Sequence, residues 1–215
     1  MKQSIPLILT FLLLGCDSKA PFVVDIPGDT KQLEVYLSEN RLQEAAWESI
    51  KLAQFDRADS ILTVLRQILE SQPVEIERWG GKGIMENYLL TFQNGVQGFF
   101  KVAGSDSLGP IRKELATYEI DNLLRIHLTS ITLIRQLDLP DGSSVKGVIK
   151  YFVKAAKTAE DLGLKSNVKP DILLFFDTIV ANVDRHWGNW MIRDDTNELF
   201  AIDHNRTFQF DLDFT

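Results

Sequence analysis

The stretch "ANVDRHWGNW", residues 181–190, follows directly on "DILLFFDTIV", 171–180, one of the most apolar runs in the chain. Its ten residues carry a carboxylate (Asp184), an imidazole (His186), a guanidinium (Arg185), two amides (Asn182, Asn189) and two indoles (Trp187, Trp190). The apolar run starts after Pro170 and is hydrophobic on nearly all sides, which predicts a core helix. A buried helix that ends in so much polar chemistry is expected to deliver it to a site. Asp184 and Asn189 lie five apart, so one short turn can aim a carboxylate at a nucleophile and an amide oxygen at a metal beside it.

Working outward, the closing segments "NWMIRDD" and "ELFAIDHN" read as a hairpin, with Asp203 at the end of an apolar strand. Upstream, "VEIERWG", "GIMENYLLTF" and "QGFFKVA" alternate as strands around the turn-forming "GGKG" and "QNG". "GPIRKELATYEIDNLLRIHL" follows as a helix with Pro110 in its first turn. "SITLIRQL" and "SSVKGVIKYFV" are strands around "LPDGS". Strands, helix, strands, helix, hairpin is an α+β order with two lobes. Residues 31–72 form a helical segment, read as a pair of helices that pack on the domain without chemistry of their own. His127 is placed at a helix end, where its charge suits the C-terminal dipole, and Trp187 and Trp190 are read as packing residues.

Three more positions attract attention. Lys101 sits in the otherwise apolar "GFFKV", and a lone buried ammonium is costly, so it needs a partner. Glu114 borders the apolar stripe Ile111, Leu115, Tyr118 and Ile126 of the following helix and can face inward to supply one. Gly81, Lys82 and Gly83 lie in a hairpin whose glycines would let the backbone close over phosphates. A glycine cluster also serves as a plain turn, and a strand lysine can snorkel. The order of glycine hairpin, strand Lys, helix Glu, Asp-x4-Asn and strand Asp carries more weight than any single piece.

That order resembles a small bilobal kinase. "DTIVANVDRHWGNW" is similar to the "D-x4-N-x-D-R-H" loop of the secretory-pathway kinases, the group that includes Golgi casein kinase and the glycosaminoglycan xylose kinase. The Asp-Arg-His element followed by Asn also resembles phosphatidylinositol 3- and 4-kinases and HipA-type kinases. "KELATYEIDNLL" is similar to the secretory-kinase helix that carries the lysine-pairing glutamate. The resemblance covers roughly residues 75–210. It implies an atypical protein-kinase-like fold with a minimal C-lobe. It also implies ATP or another nucleotide as donor, Mg2+ or Mn2+ as cofactor, and a protein, sugar or lipid hydroxyl as acceptor. Asp184 would be the base, with Arg185 and His186 shaping the catalytic loop and His186 near the γ-phosphate. Lys101 paired to Glu114 would hold phosphates, Asn189 and Asp203 would be metal ligands, and Asp177 and Asn182 would brace the loop. The sequence departs from the pattern in placing His204 and Asn205, not a glycine, after Asp203, and it stops twelve residues later.

The start of the chain, "MKQSIPLILTFLLLGC", has a basic n-region, a short apolar core and the only cysteine, Cys16. It resembles a bacterial lipoprotein signal with Cys16 as the acylated residue, which implies an exported protein anchored to a membrane by lipid. The expected organisation is signal 1–16, tether 17–30, helical segment 31–72 and kinase-like domain 73–215, with the N-lobe at 73–145 and the C-lobe at 146–215. A net charge of -7 argues against a nucleic-acid partner. Two other functions stay open. One is a membrane-tethered binding module that keeps the fold without catalysis. The other is a metal hydrolase built on Asp184, His186, Asp203 and His204.

Overall fold

The computed structural model describes residues 28–80, 86–104, 108–164, 169–194 and 196–209. Three helices come first: α1 (Thr30–Ser38), α2 (Leu42–Lys51) and α3 (Phe55–Glu70). Asp29, expected in the tether, instead caps α1 by accepting from the Lys31 amide at 2.8 Å. The helical spacing of Leu33, Leu37, Leu42, Ala46 and Ile50 runs across two helices, because the chain breaks at Asn40, which adopts a left-handed φ of 55°. The expected pair is therefore a trio. Among the described residues no helix is long and apolar enough to cross a membrane.

Five strands follow around one helix: β1 (Glu75–Trp79), β2 (Asn87–Thr91), β3 (Gln97–Val102), α4 (Gly109–Leu124), β4 (Thr132–Asp138) and β5 (Ser144–Tyr151). They form an antiparallel sheet in the order β1-β2-β3-β5-β4. Register decides which side chains share a face. Asn87 pairs with Lys101, Lys101 with Val148, and Phe99 with Lys150, so all five point the same way. The opposite face carries Leu90, Phe100 and Ile149, which pack with Leu65 and Leu69 of α3 in the main core. Gly147 is needed here, because a Cβ on it would lie 2.3 Å from the Lys101 carbonyl oxygen and 2.5 Å from the Phe100 ring. The whole of β5 belongs to this sheet. The lobe boundary expected at 145/146 therefore falls after Tyr151, and the connection between lobes begins at Phe152.

The second lobe contains β6 (Ala156–Thr158), α5 (Asp171–Ile179), a 3-10 turn (Trp187–Asn189), β7 (Trp190–Arg193) and β8 (Leu199–Ala201). Its three-stranded sheet runs β6-β7-β8. Strand β6 was not visible in the sequence pattern. Helix α5 is not apolar-buried all round: Leu173 and Phe176 are in the core while Leu174 and Phe175 are about half exposed. Trp187 and Trp190 pack in that core, with ring centroids 5.8 Å apart.

Helix α2 joins the two lobes. Glu44, almost fully buried, accepts from Tyr151 Oη of β5 at 3.0 Å and ion-pairs with Arg193 of β7. Gln43 Oε1 accepts from the Ile131 amide at 2.7 Å, Trp47 stacks on Phe200 of β8, and Lys51 reaches Glu198 at 3.3 Å.

Candidate functional site

Between the two sheets lies a cavity of about 640 Å³, within the size range of small-molecule sites. Phe99 and Val148 line it from the first lobe, Phe152 from the connection, and Met191, Phe200 and Ile202 from the second. Polar chemistry enters from Lys101, Lys150, Asn189 and Asp203.

Lys101 is the meeting point. Its Nζ donates to Glu114 Oε1 and to Asp203 Oδ1, both at 3.0 Å. The expected Lys101–Glu114 pair is present, and the strand aspartate joins it across the cleft. Burial alone would lower the Lys101 pKa, but the carboxylates of Glu114 and Asp203 outweigh it and raise the value, so the ammonium is retained. Glu114 is fully buried. Its second oxygen, Oε2, accepts from the His204 amide at 3.2 Å and pairs closely with Lys150 Nζ. Burial pushes the Glu114 pKa up, yet Lys150 first and Lys101 second hold it well below the usual carboxylate range. Sequence reasoning missed Lys150. Its signal was the alternation in "VKGVIKYF", which puts Lys150 on the face of Val148.

Asp203 follows β8 with a left-handed φ of 56°, a conformation aspartate tolerates better than most residues. Its side chain is 38% exposed, so oxygen remains available to a ligand. The Ile202 amide donates to the Asn189 carbonyl at 3.0 Å, which sets Asp203 beside the 3-10 turn. Asn189 Nδ2 donates to the Asp184 carbonyl at 2.7 Å, so the amide oxygen faces away from that carbonyl. One carboxylate and one amide oxygen are hard donors of the kind that suits Mg2+ or Mn2+. Among the described residues no group of three or more His, Cys, Asp or Glu is arranged to hold a metal.

Behind this set runs a buried chain of charges. Arg185 donates through Nε and Nη2 to Asp177 at 2.9–3.2 Å, to the Ile202 carbonyl at 2.8 Å, and to the Asn189 carbonyl. Asn182 Nδ2 also donates to Asp177, at 2.9 Å. Arg185 Nη2 sits 2.9 Å from His204 Nε2, and a guanidinium only donates, so Nε2 accepts and Nδ1 carries the proton. Burial, Lys150 and Arg185 all hold His204 neutral, against a smaller opposing pull from Glu114. His204 Nδ1 faces Glu114 Oε2 at 3.9 Å. Arg185 thus touches the loop and the segment just after β8, and it is not among the cavity-lining residues. His204 is fully buried with Nε2 against Arg185, which is a poor position for the metal ligand that the hydrolase expectation needs.

Two expected site residues lie elsewhere. The Asp184 side chain and His186 line a second, open hollow of about 570 Å³ with Lys169, Asn182 and Gln209. Asp184 Oδ1 is 3.5 Å from Arg206 Nη1, and His186 Nδ1 accepts from the Gly188 amide at 3.1 Å, capping the turn. The same turn therefore shows Asn189 to the cleft and Asp184 to its outer side. His127 stacks near Trp47 at a ring distance of 6.0 Å, and its pKa is pushed down to about 4 by burial, Arg125 and Lys51. It is neutral at physiological pH, so it gives the helix dipole no charge. Gly81, Lys82, Gly83 and Cys16 lie outside the described residues.

Residues 138–215 match the family model of phosphatidylinositol 3- and 4-kinase, a stretch that holds Lys150, Asp184, Asn189 and Asp203 but not Lys101 or Glu114. No curated protein matches the chain. Among solved structures, Golgi casein kinase with Mn/ADP bound is similar at 15% identity and a TM-score of 0.46, over 70% of this chain and 58% of that one. A second Golgi casein kinase structure gives 14% identity and 0.48, over 91% and 76% of the two chains. Choline kinase LicA from Streptococcus pneumoniae gives 14% and 0.38, over 67% and 68%. The chain thus spans under two thirds of the length of the first of these.

Proposed function

We propose that this protein is a metal-dependent phosphotransferase that moves the terminal phosphoryl group of ATP, or a related nucleotide, to a hydroxyl acceptor. The observation that carries the reading is the Lys101 ammonium held between Glu114 and Asp203 at the floor of the inter-lobe cavity. An aliphatic and aromatic slot ending in an anchored cation, a carboxylate and an amide suits a flat base followed by phosphates. Asp203 and Asn189 would hold a divalent cation, which would supply neutralising charge to the phosphate oxygens. Lys101 binds the phosphates, and Glu114 keeps its ammonium aimed. Asp184 takes the proton of the acceptor hydroxyl as the new P–O bond forms and the bond to the departing nucleotide diphosphate breaks. Arg185 acts through others by fixing Asn189 and Ile202, and Asp177 fixes Arg185. The outward position of Asp184 suits an acceptor that arrives from the second hollow.

A second reading is a kinase-like binding module without turnover. The Asp184–Arg206 pair and the absence of Asp184 from the cavity lining favour it. Cys16 acylation and export to a membrane surface belong to the proposal in either case. Loss of lipid labelling in Cys16→Ser tests that part.

Two measurements separate the readings. Thermal shift with ATP and Mn2+ is expected to stabilise the wild type and leave Asp203→Ala unmoved. Radiolabel transfer from ATP to a generic acceptor, or to the protein itself, is expected in the wild type and absent in Asp184→Ala. Binding with equal transfer in both proteins removes Asp184 as base. No binding in the wild type sinks the nucleotide site altogether.

A further inference from the structure

A single strand lysine is enough to pair with Glu114, yet two are present. Lys101 and Lys150 project from the same face of neighbouring strands, both line the cavity, and each takes a different oxygen of one buried carboxylate. Their side chains are 15% and 14% exposed, so both ammonium groups are largely shielded from bulk water. Lys101 also serves Asp203, which lies open to a ligand. Once a cation occupies Asp203 and phosphates draw on Lys101, Glu114 would lose its compensation if Lys101 were its only partner. A buried carboxylate tolerates that poorly.

The charge count makes the point sharper. Asp161 also lines the cavity but is bonded to Thr158 of β6. With His204 Nε2 accepting from Arg185, and Arg185 balanced by Asp177, the charged groups in mutual contact at the Lys101 end are Lys101 and Lys150 against Glu114 and Asp203. Two positive and two negative charges leave that cluster neutral. Without Lys150 it would carry one negative charge, would attract free metal, and would repel phosphate. We infer that Lys150 is a positioning and specificity residue: it is the resident counter-ion of Glu114, and it sets the site to take metal and nucleotide together rather than metal alone. The inference rests on the phosphotransferase reading proposed above.

The test exploits opposite signs. In Lys150→Gln the floor carries one net negative charge. Free Mn2+, followed by electron paramagnetic resonance, is expected to bind about five- to tenfold tighter, as one unit charge in a partly shielded site permits. Metal-free ATP, followed by competition with a fluorescent nucleotide, is expected to bind about five- to tenfold weaker. Adenosine, which has no phosphate, is expected to be unchanged. Damage to the fold would weaken all three. The double variant Lys150→Gln with Glu114→Gln restores neutrality, because Lys101 then faces Asp203 alone. It buries no unpaired carboxylate, and its Mn2+ affinity should return to the wild-type value. That variant also gives a readable result if the single variant does not fold, because Mn2+ affinity raised above wild type in it contradicts the charge count. Equal affinities in wild type and Lys150→Gln, or Mn2+ and ATP weakened together, overturn the inference. If wild-type protein binds neither Mn2+ nor ATP, the phosphotransferase reading fails and the role of Lys150 fails with it. Wild-type binding with no opposite-sign change removes only the role of Lys150.

Discussion

Replacing Arg185 by lysine keeps the charge and removes the fork. In the native protein the guanidinium grips Asp177 with two nitrogens while reaching the carbonyls of Asn189 and Ile202 and the ring of His204. It is 5% exposed, so water cannot replace what is lost. An ammonium has three donors at one point and cannot span partners on opposite sides of a planar group. It can keep Asp177 and one carbonyl, which leaves about two charge-assisted hydrogen bonds unmade. At about 1.5–3 kcal/mol each, and allowing for non-additivity, the expected loss is about 3–5 kcal/mol. That is a large share of the ~5–15 kcal/mol typical of a domain, so the variant should fold but with a lower midpoint. Urea unfolding followed by tryptophan fluorescence reads the stability directly. Nucleotide binding should weaken in the same variant under native conditions, because the Asn189 and Ile202 backbone that sets the proposed metal ligands has lost its anchor. A stability change under about 1 kcal/mol, with nucleotide affinity within twofold of wild type, would refute the idea that Arg185 organises the site.

Gly147→Ala should lower the melting temperature by several degrees, because its Cβ meets the Lys101 backbone at 2.3 Å and neither strand can retreat without shifting Lys101; scanning calorimetry checks this. Asp121→Ala removes the acceptor for the Leu128 and Thr129 amides and the Thr129 hydroxyl, and a loss of about 2–4 kcal/mol in chemical denaturation is expected. Stability should fall as pH drops below 6.5. His127 is pushed down to about 4 in the fold, so between those values the unfolded chain binds the extra proton, and unfolding gains about 2 kcal/mol by pH 5. His204 adds to the same trend. His127→Asn should reduce, without abolishing, the pH dependence of the melting temperature between 6.5 and 4, and an unaltered slope would show that His127 does not contribute to it.

Local sequence could reveal whatever depends on local pattern. The strands around Lys101, the Pro110 helix carrying Glu114, and the closing hairpin that presents Asp203 follow from period and turn chemistry, and those three side chains do meet. The resemblance implied that Asp177 and Asn182 brace the loop, but that Asp177 does so by gripping Arg185 is seen only in the structure. What stayed hidden depends on distant neighbours. Lys150 reads as the polar position of an alternating strand, and only pairing with β3 turns it toward Glu114. His204 reads as a departure from a motif, whereas its burial between Arg185 and Glu114 makes it a neutral spacer in the charge chain. Gln43 and Glu44 look like the wet side of an amphipathic helix until the groove between two sheets closes over them. The direction of the Asp184 side chain was equally unreadable, since one residue's rotation about a turn decides which side of the loop it serves.

The wedge formed by α2 has a thermodynamic corollary. Its carboxylate at 44 is held simultaneously by a phenol at the end of one sheet and a guanidinium on the other, and its indole at 47 rides on the second. Any change in the angle between the lobes must therefore stretch or release contacts on this helix. Linkage is reciprocal, so a ligand that draws the lobes inward must alter how tightly α2 is seated, and whatever pulls on α2 must alter the ligand's affinity by an equal factor. Slower amide exchange across Gln43–Lys51 in the presence of ATP and Mn2+ would be its signature.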